Sequence, residues 1–241
     1  TKTLFLNKAE YRTAGRKKAA ANQQIMQIHN RTTIYVLGFA LSLICAGCGG
    51  PDAEMFPALE TELIWPAPPE QPRIKYVGML STEGDLKRKR SGWEGLVQLV
   101  FGKEELGVLL NPYAVAVDEA DRLFVADTAG AVIHIYDLKT RAYRHFSALG
   151  EGEALTMPVG ITLLDENIYV SDSVLRKVCV FDREGEFRFA FGSDRLKRPS
   201  GIASCSQDKR IFVADTLGHT IDAFSKNGEY EYSIGSRGLE A

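Results

Sequence analysis

The chain has 241 residues, with 29 Lys+Arg against 31 Asp+Glu, and its net charge of −2 gives no general electrostatic pull toward nucleic acid. Hydrophobic residues at 45% and charged residues at 25% are ordinary for a folded domain, and the length suffices for one sizeable core behind a non-globular leader. Four cysteines without scaffold-like spacing exclude a disulfide-built fold.

Residues 1–25 are polar and basic ("GRKKAAANQQ") and read as an upstream extension outside the mature protein. From Met26 the order changes to that of an export signal: a short start carrying Arg31, an apolar run, small residues, then Cys48. The uncharged run Ile34 to Gly47, "IYVLGFALSLICAG", rises only about 21 Å as a helix, short of a bilayer's hydrocarbon core, and so suits a signal-peptide apolar region over residues 26–47. Asn30-Arg31-Thr32 has glycosylation spacing but falls within that signal. Cys45 and Cys48 form a CxxC, which elsewhere signals a redox or zinc pair. Those chemistries need a helix opening or a second ligand pair, and here the motif ends an apolar run before Gly49-Gly50-Pro51 with no second CxxC in the chain. "ICAGCGG" resembles a bacterial lipobox, with small Ala46 and Gly47 beside the cut and Cys45 where Leu is usual. The resemblance implies cleavage between Gly47 and Cys48 and a diacylglycerol on Cys48, which anchors the protein to a membrane.

Residues 48–72 hold five of the nine prolines between Pro57 and Pro72 and read as an extended, semi-rigid tether. Residues 73–110 form the next unit. "RIKYVGML", Arg73 to Leu80, begins with alternation and predicts a strand; Lys87-Arg88-Lys89-Arg90 predicts a solvated loop with weak attraction to anionic head groups. In "SGWEGLVQLVFG", Ser91 and Glu94 have capping-box spacing, and Trp93, Leu96, Val97 and Val100 share a face, predicting a short amphipathic leader helix.

Residues 111–241 contain a repeat. Pro112, Pro158 and Pro199 align, as do Asp127, Asp172 and Asp215, at intervals of 41 to 46 residues. Each unit predicts four strands. A small-residue strand follows the proline (Ala114 to Val117, Gly160 to Leu164, Gly201 to Ser204), and a second ends in the aspartate ("LFVAD", "IYVSD", "IFVAD"). A third alternates ("VIHIYD", "VCVFD", "IDAFS"), and a fourth begins at Tyr143, Phe187 or Tyr230 after a turn that carries Glu184-Gly185 or Asn227-Gly228 in the later units. A four-stranded meander repeated at about 40–45 residues predicts an all-β fold, a β-propeller of four-stranded antiparallel blades.

Pro-x-Gly-Ile, Val-Ala-Asp, a strand ending Phe-Asp and a Gly turn together resemble the NHL-repeat family, over Pro112 to Gly235, and the leader resembles bacterial lipoproteins of that class. The resemblance implies a six-bladed ring in the complete protein, of which about three blades are present here. It departs at the loop after Val-Ala-Asp, where Gly130-Ala131, Leu175-Arg176 and Gly218-His219 stand in place of Asn and a basic pair.

Asp127, Asp172 and Asp215 recur once per unit, which favours a structural role in accepting turn N–H groups over metal ligation, because a metal needs ligands converging on one point. The histidines are His29 in the signal, His134 facing opposite to Ile133 and Ile135, His145 in an outer strand and His219 in a loop. None stands on an innermost strand, where propeller lyases of the family gather theirs. Cys179 and Cys205 read as inert thiols, and Asp118 ends only the first of the inner strands. No catalytic residue, metal or cofactor is therefore expected. The expectation is a lipid-anchored scaffold of the bacterial cell envelope, at the outer membrane or facing the periplasm, that binds a protein or glycan partner and no nucleic acid. The alternatives are a metal-dependent propeller lyase or hydrolase with its active-site residues in further blades and, less directly, an accessory subunit of envelope complexes.

Overall fold

The computed structural model describes residues 53–57, 60–88 and 106–238. All of these fall in one of the two compact units of the chain, Asp52–Lys89 with Lys103–Ala241. The signal segment with Gly47 and Cys48, the upstream extension and the helix expected from Ser91 lie outside the described residues. Among the described residues no helix is long and apolar enough to cross a membrane.

The repeat region is built of three four-stranded antiparallel sheets, as the alternation predicts. The first blade is β3 (Pro112–Val117), β4 (Arg122–Asp127), β5 (Val132–Asp137) and β6 (Tyr143–Phe146). The second is β9 (Pro158–Leu164), β10 (Asn167–Asp172), β11 (Lys177–Asp182) and β12 (Phe187–Phe191), and the third β13 (Pro199–Cys205), β14 (Arg210–Asp215), β15 (Thr220–Ser225) and β16 (Tyr230–Ile234). In each, sequence order is spatial order. Between the first two blades lies a small hairpin absent from the sequence expectation, β7 (Ala148–Gly150) with β8 (Glu153–Ala154), which accounts for the longer first interval.

Stacking follows from side-chain period two: each strand sends alternate residues to the preceding and to the following blade. Phe124, Ala126, Ile133 and Ile135 of the first blade meet Ile161, Ile168, Val170, Cys179 and Phe181 of the second. From its opposite face the second blade sends Leu164, Tyr169, Val178, Val180 and Phe191 against Ile211, Val213 and Phe224 of the third. The inner strands β3, β9 and β13 are neighbours in that order. Their small residues permit this close approach: a Cβ on Gly160 would stand 2.5 Å from the Ser200 carbonyl and 2.6 Å from Ser171 Oγ. The turns into the fourth strands use Gly185 (φ +92) and Gly228 (φ +86), left-handed positions that suit glycine.

The leader departs from expectation. Within the stretch read as a plain tether, β1 (Ile64–Trp65) pairs with β2 (Ile74–Lys75), so the strand expected over Arg73 to Leu80 is confined to two residues. The prolines hold the chain extended, and the carbonyls of Leu63 and Trp65 accept from Tyr76 and Arg73 N–H. A 3₁₀ turn, Glu83–Leu86, follows behind a Thr82–Asp85 capping box. Leu86, fully buried, joins Val125 and Tyr136 under Met55, Leu80 and Leu109, so the leader closes the outer half of the first blade's front face. Lys87, first of the expected basic loop, caps that turn with φ 49, and its Nζ donates to the Glu54 carbonyl at 2.8 Å.

Candidate functional site

Asp127, Asp172 and Asp215 each end a second strand, opposite Pro112, Pro158 and Pro199 respectively. All three are buried. Asp172 Oδ2 accepts N–H from Thr156 (2.7 Å) and Met157 (2.9 Å), while Oδ1 accepts from Val174 (3.0 Å) and Leu175 (2.9 Å). Asp127 does the same with Leu110, Asn111, Ala129 and Gly130. Asp215 takes Lys197, Arg198 and Gly218. Each carboxylate thus clamps the approach to the inner strand onto the turn leaving the second strand. Sequence reasoning anticipated only the turn half of this contact. The residue before each proline is held extended by the ring, which aims its N–H at the carboxylate.

For Asp127 burial opposes ionisation, yet the N–H groups of Gly130, Leu110 and Asn111 and the nearby His134 outweigh it and hold the carboxyl below its ordinary range. Asp215 is held low in the same way by Lys197, Arg198 and Gly218. With their lone pairs spent on backbone, these carboxylates have little left for a metal, and among the described residues no group of three or more His, Cys, Asp or Glu is placed to hold one.

Among the described residues, one concave feature of the repeat region is a groove of about 690 Å³ at the end of the blades where inner strands turn into second strands. Val117, Leu163 and Leu164 form its apolar wall, and the turns supply Asp118, Glu119, Asp165, Glu166 and Ser206, with Arg122 and Arg183 beside them. Most of these charges are already engaged. Arg122 Nε donates to Asp118 at 2.8 Å, and its Nη1 reaches the Arg183 carbonyl (3.2 Å) and Glu184 (3.1 Å), linking the first two blades. Burial raises the Asp118 pKa, but the backbone and guanidinium of Arg122 outweigh it and bring it below the usual carboxylate value. Asp165 pairs with Lys209 and with Lys226 of the third blade. Glu119 and Glu166 stay exposed at the rim. Only Asp118 had been singled out from sequence; the rest are scattered over 89 positions (118 to 206) and share no motif.

His134 lies away from that groove, under the leader, and is 4% exposed. Its Nδ1 meets the Tyr143 hydroxyl at 2.8 Å, its Nε2 stands 3.5 Å from Asp127 Oδ2, and its ring neighbours Tyr136 and Tyr143. Burial lowers its pKa, with Asp127 opposing, so the neutral ring is favoured. Tyr136 donates to the Gly107 carbonyl at 2.6 Å, and its phenol is pushed well up, first by burial. The surroundings are those of a packed core histidine rather than a general base with substrate access. Cys179 is buried with its thiol pushed up to about 12 by burial, which leaves no thiolate for nucleophilic work near neutrality.

No protein-family model and no curated protein sequence matches this chain. Solved structures are similar at the level of shape. Hydrazine synthase of Kuenenia stuttgartiensis is 18% identical over 53% of this chain and 36% of its own, with a TM-score of 0.45. Virginiamycin B lyase of Staphylococcus aureus is 15% identical over 52% of this chain and 41% of its own, with a TM-score of 0.45. The protein U3-55K is 12% identical over 54% of this chain and 41% of its own, with a TM-score of 0.47. The chain spans less than half the length of each.

Proposed function

We propose that this protein is a lipid-anchored component of the bacterial cell envelope whose propeller blades, of NHL type, serve as a binding scaffold for a protein or glycan partner. The observation that carries the binding role is the groove of about 690 Å³ across turns of all three blades, framed by turns on rigid sheets and lined by paired charges around an apolar wall. A protein loop or an oligosaccharide suits such a mixed surface, since each offers apolar faces and hydrogen-bonding groups together. The repeated aspartates serve the scaffold itself, because their lone pairs are spent on backbone N–H groups. The anchor rests on the order of residues 26–48, an uncharged run closing on small residues and Cys48.

Two measurements test this reading. Full-length protein expressed with labelled palmitate incorporates the label and partitions into detergent, and Cys48→Ala loses both; label retained by that variant refutes the anchor. Crosslinking in envelope extracts recovers a partner with the parent protein and loses it with Glu119→Lys/Glu166→Lys, two rim changes that leave the blade interior untouched. Recovery indifferent to those changes, or a stoichiometric bound metal accompanied by turnover, refutes the scaffold reading.

A further inference from the structure

The charges around the groove divide into those spent on one another and two that are not. Asp118 and Arg122 form a nearly buried pair at 2.8 Å, and Arg122 reaches on to Glu184, which Arg144 also holds at 2.6 Å. Asp165 takes Lys209 and Lys226 from the third blade. Arg183 spends its Nη2 on the Asp165 carbonyl. Glu119 and Glu166 remain: both are exposed, and neither carboxylate has a hydrogen bond or an ion pair among the described residues. They stand in the same register, each two residues past the end of its inner strand, β3 at Val117 and β9 at Leu164, so the two are one blade apart. The third blade carries neutral Ser206 and Gln207 at the corresponding places after β13.

The rest of the lining narrows the occupant. Its apolar wall is aliphatic, and no aromatic ring is present among the described lining residues. Sugar rings are commonly held by stacking on aromatic faces, and an acidic sugar brings a charge that Glu119 and Glu166 repel. A divalent cation is also a poor occupant, because among the described residues no group of three or more His, Cys, Asp or Glu is placed to hold one. Arg183 lines the same groove, and its Nη1 is buried with no acceptor among the described residues. A buried donor of this kind is costly until an acceptor meets it. A peptide supplies what is missing on both counts. Its backbone offers carbonyl acceptors, and its Lys or Arg side chains lay methylene stems on aliphatic surface while their charge reaches a carboxylate.

We propose that the occupant of the groove is an extended protein segment with two cationic side chains, one for Glu119 and one for Glu166, and a backbone carbonyl for Arg183. The inference rests on the groove being the binding site and, within that reading, decides for protein over glycan.

The test uses the full-length protein in detergent and short peptides of Ser, Ala and Leu that carry two lysines at varied spacing. Binding is expected to peak at one spacing, to weaken as salt rises, and to fall about tenfold in Glu119→Gln/Glu166→Gln. Peptides with glutamine in place of lysine do not bind the parent. Melting of the double variant stays at the parent's value, since both side chains are exposed and unpaired. Ser206→Trp, which fills the groove from the third blade's turn, abolishes binding. Binding that ignores spacing or survives Glu119→Gln/Glu166→Gln overturns the inference, as does uptake of neutral or acidic oligosaccharides that the double variant retains. The groove is judged separately, by the partner crosslinked in envelope extracts. A partner lost in Ser206→Trp but kept in Glu119→Gln/Glu166→Gln removes the cationic segment and leaves the groove, whereas a partner indifferent to Ser206→Trp removes both.

Discussion

The inner strands of the first and second blades carry the same pattern and meet opposite fates. In β3, Tyr113 is 66% and Val115 60% exposed; at the matching places in β9, Val159 is 8% and Ile161 6% exposed. Both sequences alternate, both open with proline, and both pair with a second strand ending in a buried aspartate. What differs is the layer in front. β9 faces the first blade, whereas β3 has the leader over only the outer part of its sheet. Patterning therefore specifies which face a strand offers, and burial arrives only with the neighbour that accepts it.

That contrast can be broken most forcefully at the clamp. Asp172→Ala removes a fully buried carboxylate and leaves four N–H groups without their acceptor in the blade covered on both sides, and the expected loss is about 3–5 kcal/mol by chemical denaturation. Asp215→Ala, in the blade open on its rear, is expected to cost less because water reaches the freed donors. Equal losses mean that the clamp does not depend on how deeply its blade is enclosed.

Next in size is the pair of inner-strand changes. Ile161→Ala removes packing from the core between the first two blades and is expected to destabilise by about 2–4 kcal/mol. Val115→Ala, at the matching but exposed place, is expected to stay within about 0.5 kcal/mol. A comparable loss at Val115 shows that its face is covered in solution.

Acid titration separates the clamp from the leader contact. Asp127 and Asp215, held low in the folded state, contribute stability that is complete above the unfolded carboxylate value near 4 and is lost as pH falls through their folded values. His134 has a lowered folded pKa, so its neutral form contributes fully above about 6.5 and that contribution fades as pH drops below. Stability against pH should thus fall in two limbs, and His134→Gln should remove only the upper one. A single limb below pH 4 in the parent protein contradicts the packed neutral ring.

The smallest expected effect lies in the turns after the aspartates. Ala131, Arg176 and His219 take φ of 52, 54 and 58, a left-handed conformation costly for residues with a Cβ. Ala131→Gly relieves this and should raise stability by about 0.5–1 kcal/mol, read as a higher melting temperature. A fall instead means that the gain in unfolded-chain entropy outweighs the relief.

The strands were legible because the cues were local. "IYVSD" and "VCVFD" carry period two, and Glu184-Gly185 and Asn227-Gly228 mark turns that need positive φ. The β7–β8 hairpin and the 3₁₀ turn were not, since "ALG", "EA" and "EGDL" are too short to express a period. The groove was illegible for a different reason. Asp118, Asp165, Arg183 and Ser206 come from four separate turns and become neighbours only through blade stacking.

Sequence alone determined the repeat, its four strands, the face each strand presents and the recurrence of a proline–aspartate pair, because these follow from short-range alternation and backbone sterics. Tertiary structure decided which faces are closed, that each aspartate reaches back to the approach of its own inner strand, and that the leader folds over the first blade. Those outcomes depend on contacts between residues dozens of positions apart, and neither propensity nor periodicity encodes a distance of that kind.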